Sequence, residues 1–283
     1  MALSTAAPAP QALFLQTVPD QRFCLFYAPA GTPRAALLYI APFGEEMNKS
    51  RRMAALQARA LAASGFGVLL LDLYGCGDSS GDFADARWNI WLDDIAAARR
   101  WLQQHCPAPQ VLWGLRLGAL LALAHASTSS SDSAPAALLL WQPVTSGATF
   151  LNQFLRLRVA NDMMSSEQPN SGGTKALRDT LKSGQLLEVA GYDLAPALAD
   201  ALEANEATGL AFRHGPVHWF ETAATAGRPT PPAALKVSAA WQAGAVALTM
   251  HSVLAPSFWA SQEIAEAPAL LDATQSVLNG MFP

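Results

Sequence analysis

The chain has 283 residues, of which 51% are hydrophobic and only 14% charged, the balance of a single α/β domain with a large two-sided core. A formal net charge of −4 with no polybasic tract excludes an electrostatic footprint for nucleic acid. No uncharged apolar run reaches the ~18 residues that a membrane span needs, and Met1–Val18 has neither the cations nor the apolar run of a signal peptide. Cys24, Cys76 and Cys106 are odd in number and lack metal spacing. A cytoplasmic, reduced protein is expected, with no metal site and no cofactor.

Residues 6–12, an Ala-Pro mixture, read as a loose tail. Arg22–Tyr27 and Ala35–Ile40 read as strands bounded by Pro and Gly. Arg51–Ala63 carries a helical apolar face through Met53, Leu56, Ala60 and Ala63, with Gly65 as its stop and Asn48 or Ser50 as a candidate cap. Val68–Leu73 is a buried strand running into Tyr-Gly-Cys-Gly-Asp-Ser. Arg87–His105 is an amphipathic helix closed by Pro107. Val111–Trp113 is a strand, Leu117–Ala126 a helix, Ser127–Ser133 a polar loop and Ala137–Gln142 a strand. This alternation predicts a doubly wound, mostly parallel sheet.

After residue 145 the alternation stops. Thr149–Val159 reads as a helix and Met163–Thr174 as a mobile loop. Leu186–Val189 is a short strand, followed by a helix after Pro196. The alternation returns with strands at Gly215–Phe220 and Ala245–Val253 and a closing helix at Ala267–Asn279. The expected organisation is a core of residues 1–145 and 211–283 with residues 146–210 inserted as a cap.

Residues 111–122, Val-Leu-Trp-Gly-Leu-Arg-Leu-Gly-Ala-Leu-Leu-Ala, combine a buried strand, a tight turn and a small-residue helix. That is the layout of the nucleophile elbow of α/β-hydrolases, Gly-x-Ser-x-Gly, with Arg116 at its centre. A guanidinium is not deprotonated in proteins and cannot attack a carbonyl. An acyl-enzyme route from residue 116 is therefore excluded.

Three segments carry a more specific resemblance: Ala41-Pro-Phe-Gly-Glu-Glu-Met-Asn-Lys-Ser-Arg-Arg-Met53, Leu71-Asp-Leu-Tyr-Gly-Cys-Gly-Asp-Ser79 and Leu112-Trp-Gly-Leu-Arg-Leu-Gly-Ala-Leu-Leu121. With Pro256-Ser-Phe-Trp259, Glu263-Ile264 and Pro268-Ala-Leu, the chain resembles the exosortase A system-associated hydrolases of the second type. The resemblance implies an α/β-hydrolase fold, in bacteria that make exopolysaccharide and sort proteins bearing PEP-CTERM tails. It supplies no substrate.

Arg116 sits at a helix N-terminus, which already favours negative charge. It either grips a ligand carboxylate or phosphate, or pairs with an internal carboxylate. Glu45 and Glu46 follow the strand ending at Ile40 and are the nearest candidates. One of them serves either as a general base beside Arg116 or as a salt-bridge partner that fixes the loop. Adjacent residues point apart, so one Glu is expected to face the pocket. Glu221, near the end of its strand, stands where a triad acid would, while the loop after Val253 holds no His. His251 reads as a core or edge histidine. His214 and His218 make a poor metal pair, and Cys76 and Ser79 read as turn residues.

Trp88, Trp91 and Trp101 read as core or cap-facing; Trp113, Trp141 and Trp259 are pocket candidates. Arg116, Glu45, Glu46 and Glu221 are thus the catalytic candidates. Phe43, Gly44, Asn48, Lys49, Arg51 and Arg52 from the signature segment, with Leu115 and Leu117 beside Arg116, are the ligand-binding candidates. A small anionic or amphiphilic ligand is the expected partner. Two readings stay open: a hydrolase without the Ser-His pair, and a non-catalytic relative that binds an anionic ligand or a protein.

Overall fold

The computed structural model describes residues 9–165 and 172–283. In chain order the elements are β1 (Gln11–Gln16), β2 (Gln21–Tyr27), β3 (Ala35–Ile40), α1 (Gly44–Ala63), β4 (Phe66–Leu71) and α2 (Trp88–His105). There follow β5 (Gln110–Leu115), α3 (Leu117–Ser127), β6 (Ala137–Trp141), α4 (Gly147–Ser165), α5 (Gly173–Lys182), β7 (Leu187–Val189), β8 (Tyr192–Leu194) and α6 (Pro196–Ala204). The chain closes with β9 (Val217–Ala223), α7 (Pro232–Ala243), β10 (Leu248–Leu254) and α8 (Pro268–Met281).

Eight strands form one sheet in the order β1-β2-β4-β3-β5-β6-β9-β10. β1 and β2 pair antiparallel, as do β2 and β4; every other pair is parallel. The central strands β3 and β6 are buried at every residue, as expected of parallel strands covered on both faces. β2 alternates instead, with Cys24 and Phe26 buried and Phe23 and Leu25 half-buried, because it lies near the sheet edge. Helices α1 and α8 pack together, as do α2 and α3. This is the doubly wound α/β-hydrolase architecture.

The N-terminal side is tied by a buried ion pair. Arg22 Nε of β2 donates to Asp94 Oδ1 of α2 at 2.7 Å, with both side chains fully excluded from solvent. Asp94 Oδ2 also accepts the Tyr74 backbone N–H at 2.9 Å.

Several boundaries differ from the sequence reading. Residues 11 and 12 begin β1, which pairs with β2 along its whole length, so the expected tail is ordered strand from Gln11. α1 starts at Gly44, seven residues before Arg51; Glu45 and Glu46 lie in its first turn, where carboxylates suit the helix dipole. Asn48 and Ser50 are therefore inside the helix and cap nothing. The expected loop at Met163–Thr174 is helical at its ends, residues 163–165 belonging to α4 and 173–174 to α5, while 166–171 lie outside the described residues. α7 carries Ala234, Val237 and Trp241 inward, a helix the sequence reading missed.

From the segment between β6 and β9, Phe150 and Phe154 of α4 pack on Phe43 at the β3–α1 junction, with ring centroids 5.6 and 5.1 Å apart. Ser146 and Glu206 form an isolated antiparallel bridge that brings the two ends of this segment together.

Candidate active site

The strand order reverses between β3 and β5, and ligand crevices of open α/β sheets lie at the carboxyl ends of the strands at such a point. From β3 the chain enters Ala41–Phe43 and then α1. From β5 it enters Arg116 and then α3. Arg116 has φ 54° and ψ −117°, a region that non-glycine residues rarely occupy. The surroundings hold it there. Its N–H donates to Trp141 O at 3.0 Å, and its carbonyl accepts from Ala119 N at 3.1 Å and Val144 N at 3.2 Å. The two glycines of the turn are sterically required: a Cβ on Gly118 would lie 2.0 Å from Ile40 O, and one on Gly114 would lie 2.4 Å from Ala119 Cα.

The strained turn aims the guanidinium at α1. Arg116 Nε donates to Glu46 Oε1 at 3.1 Å, with the two side chains 16% and 23% exposed. Its Cζ lies 5.6 Å from the centroid of the Trp259 ring, within cation–π range. Nη1 makes only a long contact, 3.5 Å, to Gln142 O. Glu46 spends one oxygen on Arg116, while its Oε2 is buried with no hydrogen-bond partner. Burial pushes the Glu46 carboxyl above its ordinary range, against the pull of Arg116.

Glu221 lies within β9 and is held from two sides. Trp219 Nε1 donates to Oε1 and Gln142 Nε2 to Oε2, each at 2.8 Å. Gln142 is itself fixed, since its Oε1 accepts from Thr222 N at 2.7 Å and from Thr222 Oγ1 at 3.0 Å. Burial raises the Glu221 carboxyl, opposed by these bonds and by Arg116. The guanidinium thus feels two carboxylates but bonds one.

The imidazole of a hydrolytic triad is missing from this site among the described residues. The loop after β10 places Phe258 and Trp259 there, and Trp259 covers Arg116. His251 lies within β10 and shares a 3.0 Å hydrogen bond with His218 of β9. No group of three or more His, Cys, Asp or Glu with metal-holding geometry exists among the described residues.

Two cavities flank the Arg116–Glu46 pair. The more polar one, of about 150 Å³, is lined by Arg116, Gln142, Ser146, Thr149 and Glu221 together with Val144, Pro143 and Pro231. The other, of about 240 Å³, is aromatic, lined by Phe43, Glu46, Phe154, Tyr192 and Trp259 with Glu45 and Lys49 at its edge. Phe150 and Gln153 of α4 line both. The hydroxyls that line these cavities have no imidazole beside them among the described residues. Ser146 Oγ donates to Glu206 and accepts the Thr149 N–H, which is the work of a helix cap. The arrangement can orient a polar group by the free Nη donors of Arg116 and bury an apolar body beside it.

Of the sequence candidates, Arg116, Glu46 and Glu221 come together, and Phe43, Glu45 and Lys49 line the aromatic cavity. Both glutamates line that cavity, though only Glu46 reaches Arg116. Gly44 starts α1 beneath the Tyr192 ring. Asn48 is a contact of Glu45 and Tyr192 at the rim. Arg51 and Arg52 turn away: Arg51 pairs with Asp72 at 2.8 Å and Arg52 with Glu266 at 2.5 Å. Leu115 and Leu117 point into the core and line neither cavity. Trp113 and Trp141 are core residues, and Trp141 donates to Thr274 of α8. Cys76 is buried with its thiol pushed up by burial, and Ser79 ties Phe23 N to Asp72 O, so both are structural. Sequence reasoning missed Gln142, Phe150, Gln153, Phe154 and Tyr192. The Gln142 backbone, at φ 41°, leaves no mark in the sequence.

The sequence pattern of a family described as serine aminopeptidase, S33, matches residues 31–202. No curated protein matches the sequence. Among solved structures the chain is similar to Est1E from Butyrivibrio proteoclasticus with ferulic acid bound, at TM-score 0.67 and 16% identity over 95% of this chain and 97% of that one. It is also similar to the siderophore hydrolase EstB from Aspergillus fumigatus, at TM-score 0.65 and 13% identity over 96% and 98%. A highly thermostable carboxyl esterase from Bacillus coagulans gives TM-score 0.60 and 16% identity over 97% of each chain.

Proposed function

We propose that this chain, which belongs to the serine aminopeptidase S33 family within the α/β-hydrolases, takes up a small amphiphilic molecule at the Arg116 turn and does not pass through an acyl-enzyme. The observation that carries this is the guanidinium itself, seated in nucleophile-elbow geometry between Glu46 and Trp259. The ligand's polar or anionic head meets the free Nη donors of Arg116 in the polar cavity. Its apolar body lies among Phe43, Phe150, Phe154, Tyr192 and Trp259. The sequence segments 41–53, 71–79 and 112–121 support placing the protein with the exosortase A system-associated hydrolases of the second type, in a cytoplasmic role beside exopolysaccharide production and PEP-CTERM sorting. In this reading residues 146–210 are a cap over a core of 1–145 and 211–283.

A second reading, hydrolysis by activated water, is favoured by one observation: Glu46 Oε2 is buried without a partner and the carboxyl has raised proton affinity. Glu46 would accept a proton from water while Arg116 stabilises the oxyanion formed at the substrate carbonyl. The test titrates octanoate and ferulate into the full chain by calorimetry and follows turnover of their p-nitrophenyl and methyl esters. Binding that is lost in Arg116→Ala, without ester turnover, is the expected result. Turnover abolished by Glu46→Gln moves the assignment to the hydrolase. Neither binding nor turnover of any of these compounds overturns both.

A further inference from the structure

The opposite pole of the molecule carries a second concavity, larger than either cavity at the elbow. It is a cleft of about 790 Å³ at the amino ends of the strands, bounded by the end of α2, the start of β5, the end of α3 and the loop 128–136. At its wall stands Arg99. Nε donates to Gln110 Oε1 at 2.9 Å, Nη2 to Ser133 O at 2.7 Å, and Nη1 lies 3.2 Å from His125 Nε2. None of these partners carries charge. A guanidinium can only donate, so His125 Nε2 is the acceptor and the ring is the neutral tautomer. Burial and Arg99 together push the His125 imidazole down to about 4, which keeps it uncharged at neutral pH.

Arg99 is therefore a half-buried cation with no carboxylate bonded to it among the described residues, and burial lowers its proton affinity. Leaving such a charge uncompensated is costly, and the ordinary remedy is an anion. Two of its five N–H groups remain unspent, one on each Nη. Arg100 adjoins it in the cleft and makes no ion pair among the described residues. The one carboxylate lining the cleft, Asp132, accepts from its own neighbour Ser131. So a chain of net charge −4 keeps a local excess of positive charge here. The rest of the lining mixes hydroxyls and amides, among them Thr128, Ser129 and Gln103, with small Ala and Pro side chains and His214, and has no Phe, Tyr or Trp. That lining suits neither a lipid tail nor a stacked base. Its volume falls in the range of roughly 300–1,000 Å³ typical of small-molecule sites.

We propose that this cleft is a second binding site, for a small polyhydroxylated oxyanion such as a sugar phosphate or sugar carboxylate, held by the Arg99 guanidinium. The shared chemistry is an oxyanion for the fork of Arg99 and hydroxyls for the serines and amides around it. The site is independent of the elbow, so the two proposals fail separately.

The test titrates glucose 6-phosphate, galacturonate and neutral glucose into the full chain, followed by calorimetry and by amide shifts. The charged sugars are expected to bind, moving resonances of residues 128–134, with glucose weaker by about tenfold or more. Arg99→Gln should reduce affinity by at least about tenfold, the loss of a charge-assisted contact. Because that change also releases Gln110 and Ser133, Arg100→Gln is the companion variant; it leaves those ties intact and should weaken binding of the acids but not of glucose. Phosphate binding better than carboxylate, or the reverse, identifies the oxyanion. Equal binding of glucose, binding indifferent to Arg100→Gln and to added salt, or loss of binding in Arg116→Ala would each overturn the assignment.

Discussion

Arg116 is a residue that the backbone holds in strain and the side chain justifies. Its positive φ costs about 1–3 kcal/mol, and the contact with Glu46 is a partial return on that cost. Removing one member of a fully buried pair costs about 3–5 kcal/mol; here solvent reaches both side chains, so the expected loss for Arg116→Ala is about 1–3 kcal/mol. Denaturant unfolding measures it, and Arg116→Lys should recover only part, since an ammonium keeps the charge without the planar fork. Arg116→Ser should yield no esterase activity above background with p-nitrophenyl esters, because Trp259 stands where an imidazole would be needed. Substantial activity from that single change would reveal an unrecognised base. Arg116 and Glu46 were legible in the sequence because each sits in a contiguous motif at a strand end. Gln142, Tyr192 and the α4 phenylalanines were not, because only the tertiary fold brings them to the elbow.

The elements divide by how local their causes are. β3, β4, β5 and β6 announce themselves as short apolar runs, since a parallel strand buried on both faces has no other composition open to it. β1 does not, because Gln11–Gln16 becomes a strand only by pairing with β2, and its own pattern is exposed or half-exposed throughout. α7 escapes notice for a similar reason: it begins among turn-like prolines and its inward face is only Ala234, Val237 and Trp241. At the tie between β2 and α2, Asp94→Ala strands Arg22 in a solvent-free position, and an equilibrium unfolding series should show a loss of about 3–5 kcal/mol.

The last two strands of the sheet, β9 and the edge strand β10, carry a pH dependence of their own. His218 titrates near 4 in the folded chain, held down by burial and then by His251, against about 6.5 in an unfolded one. Between those values the unfolded state binds the extra proton, so stability falls as pH drops from about 6.5 toward 4. His125 adds a shift in the same direction. Melting temperature measured across that window should decline less steeply for His218→Asn than for the native chain; equal slopes would show that the histidine pair does not couple to folding.

At the scale of the whole molecule, the fold is that of the α/β-hydrolases, with Arg116 at the turn between β5 and α3. A serine-directed fluorophosphonate should leave residues 114–118 unlabelled in intact-mass and peptide mapping, although the turn keeps its two glycines and its backbone angles. The segment above that turn is pinned where Ser146 meets Glu206, and this has a mechanical consequence. α4 starts at Gly147, one residue beyond the pin, and runs as a rigid rod. At 1.5 Å of rise per residue, Phe150 stands about 6 Å from the pin and Phe154 about 12 Å. Any swing of the rod about its pin therefore displaces Phe154 about twice as far as Phe150. Phe150 borders both cavities and Phe154 only the aromatic one, so such a stroke would widen the aromatic cavity about twice as much as the one beside Arg116.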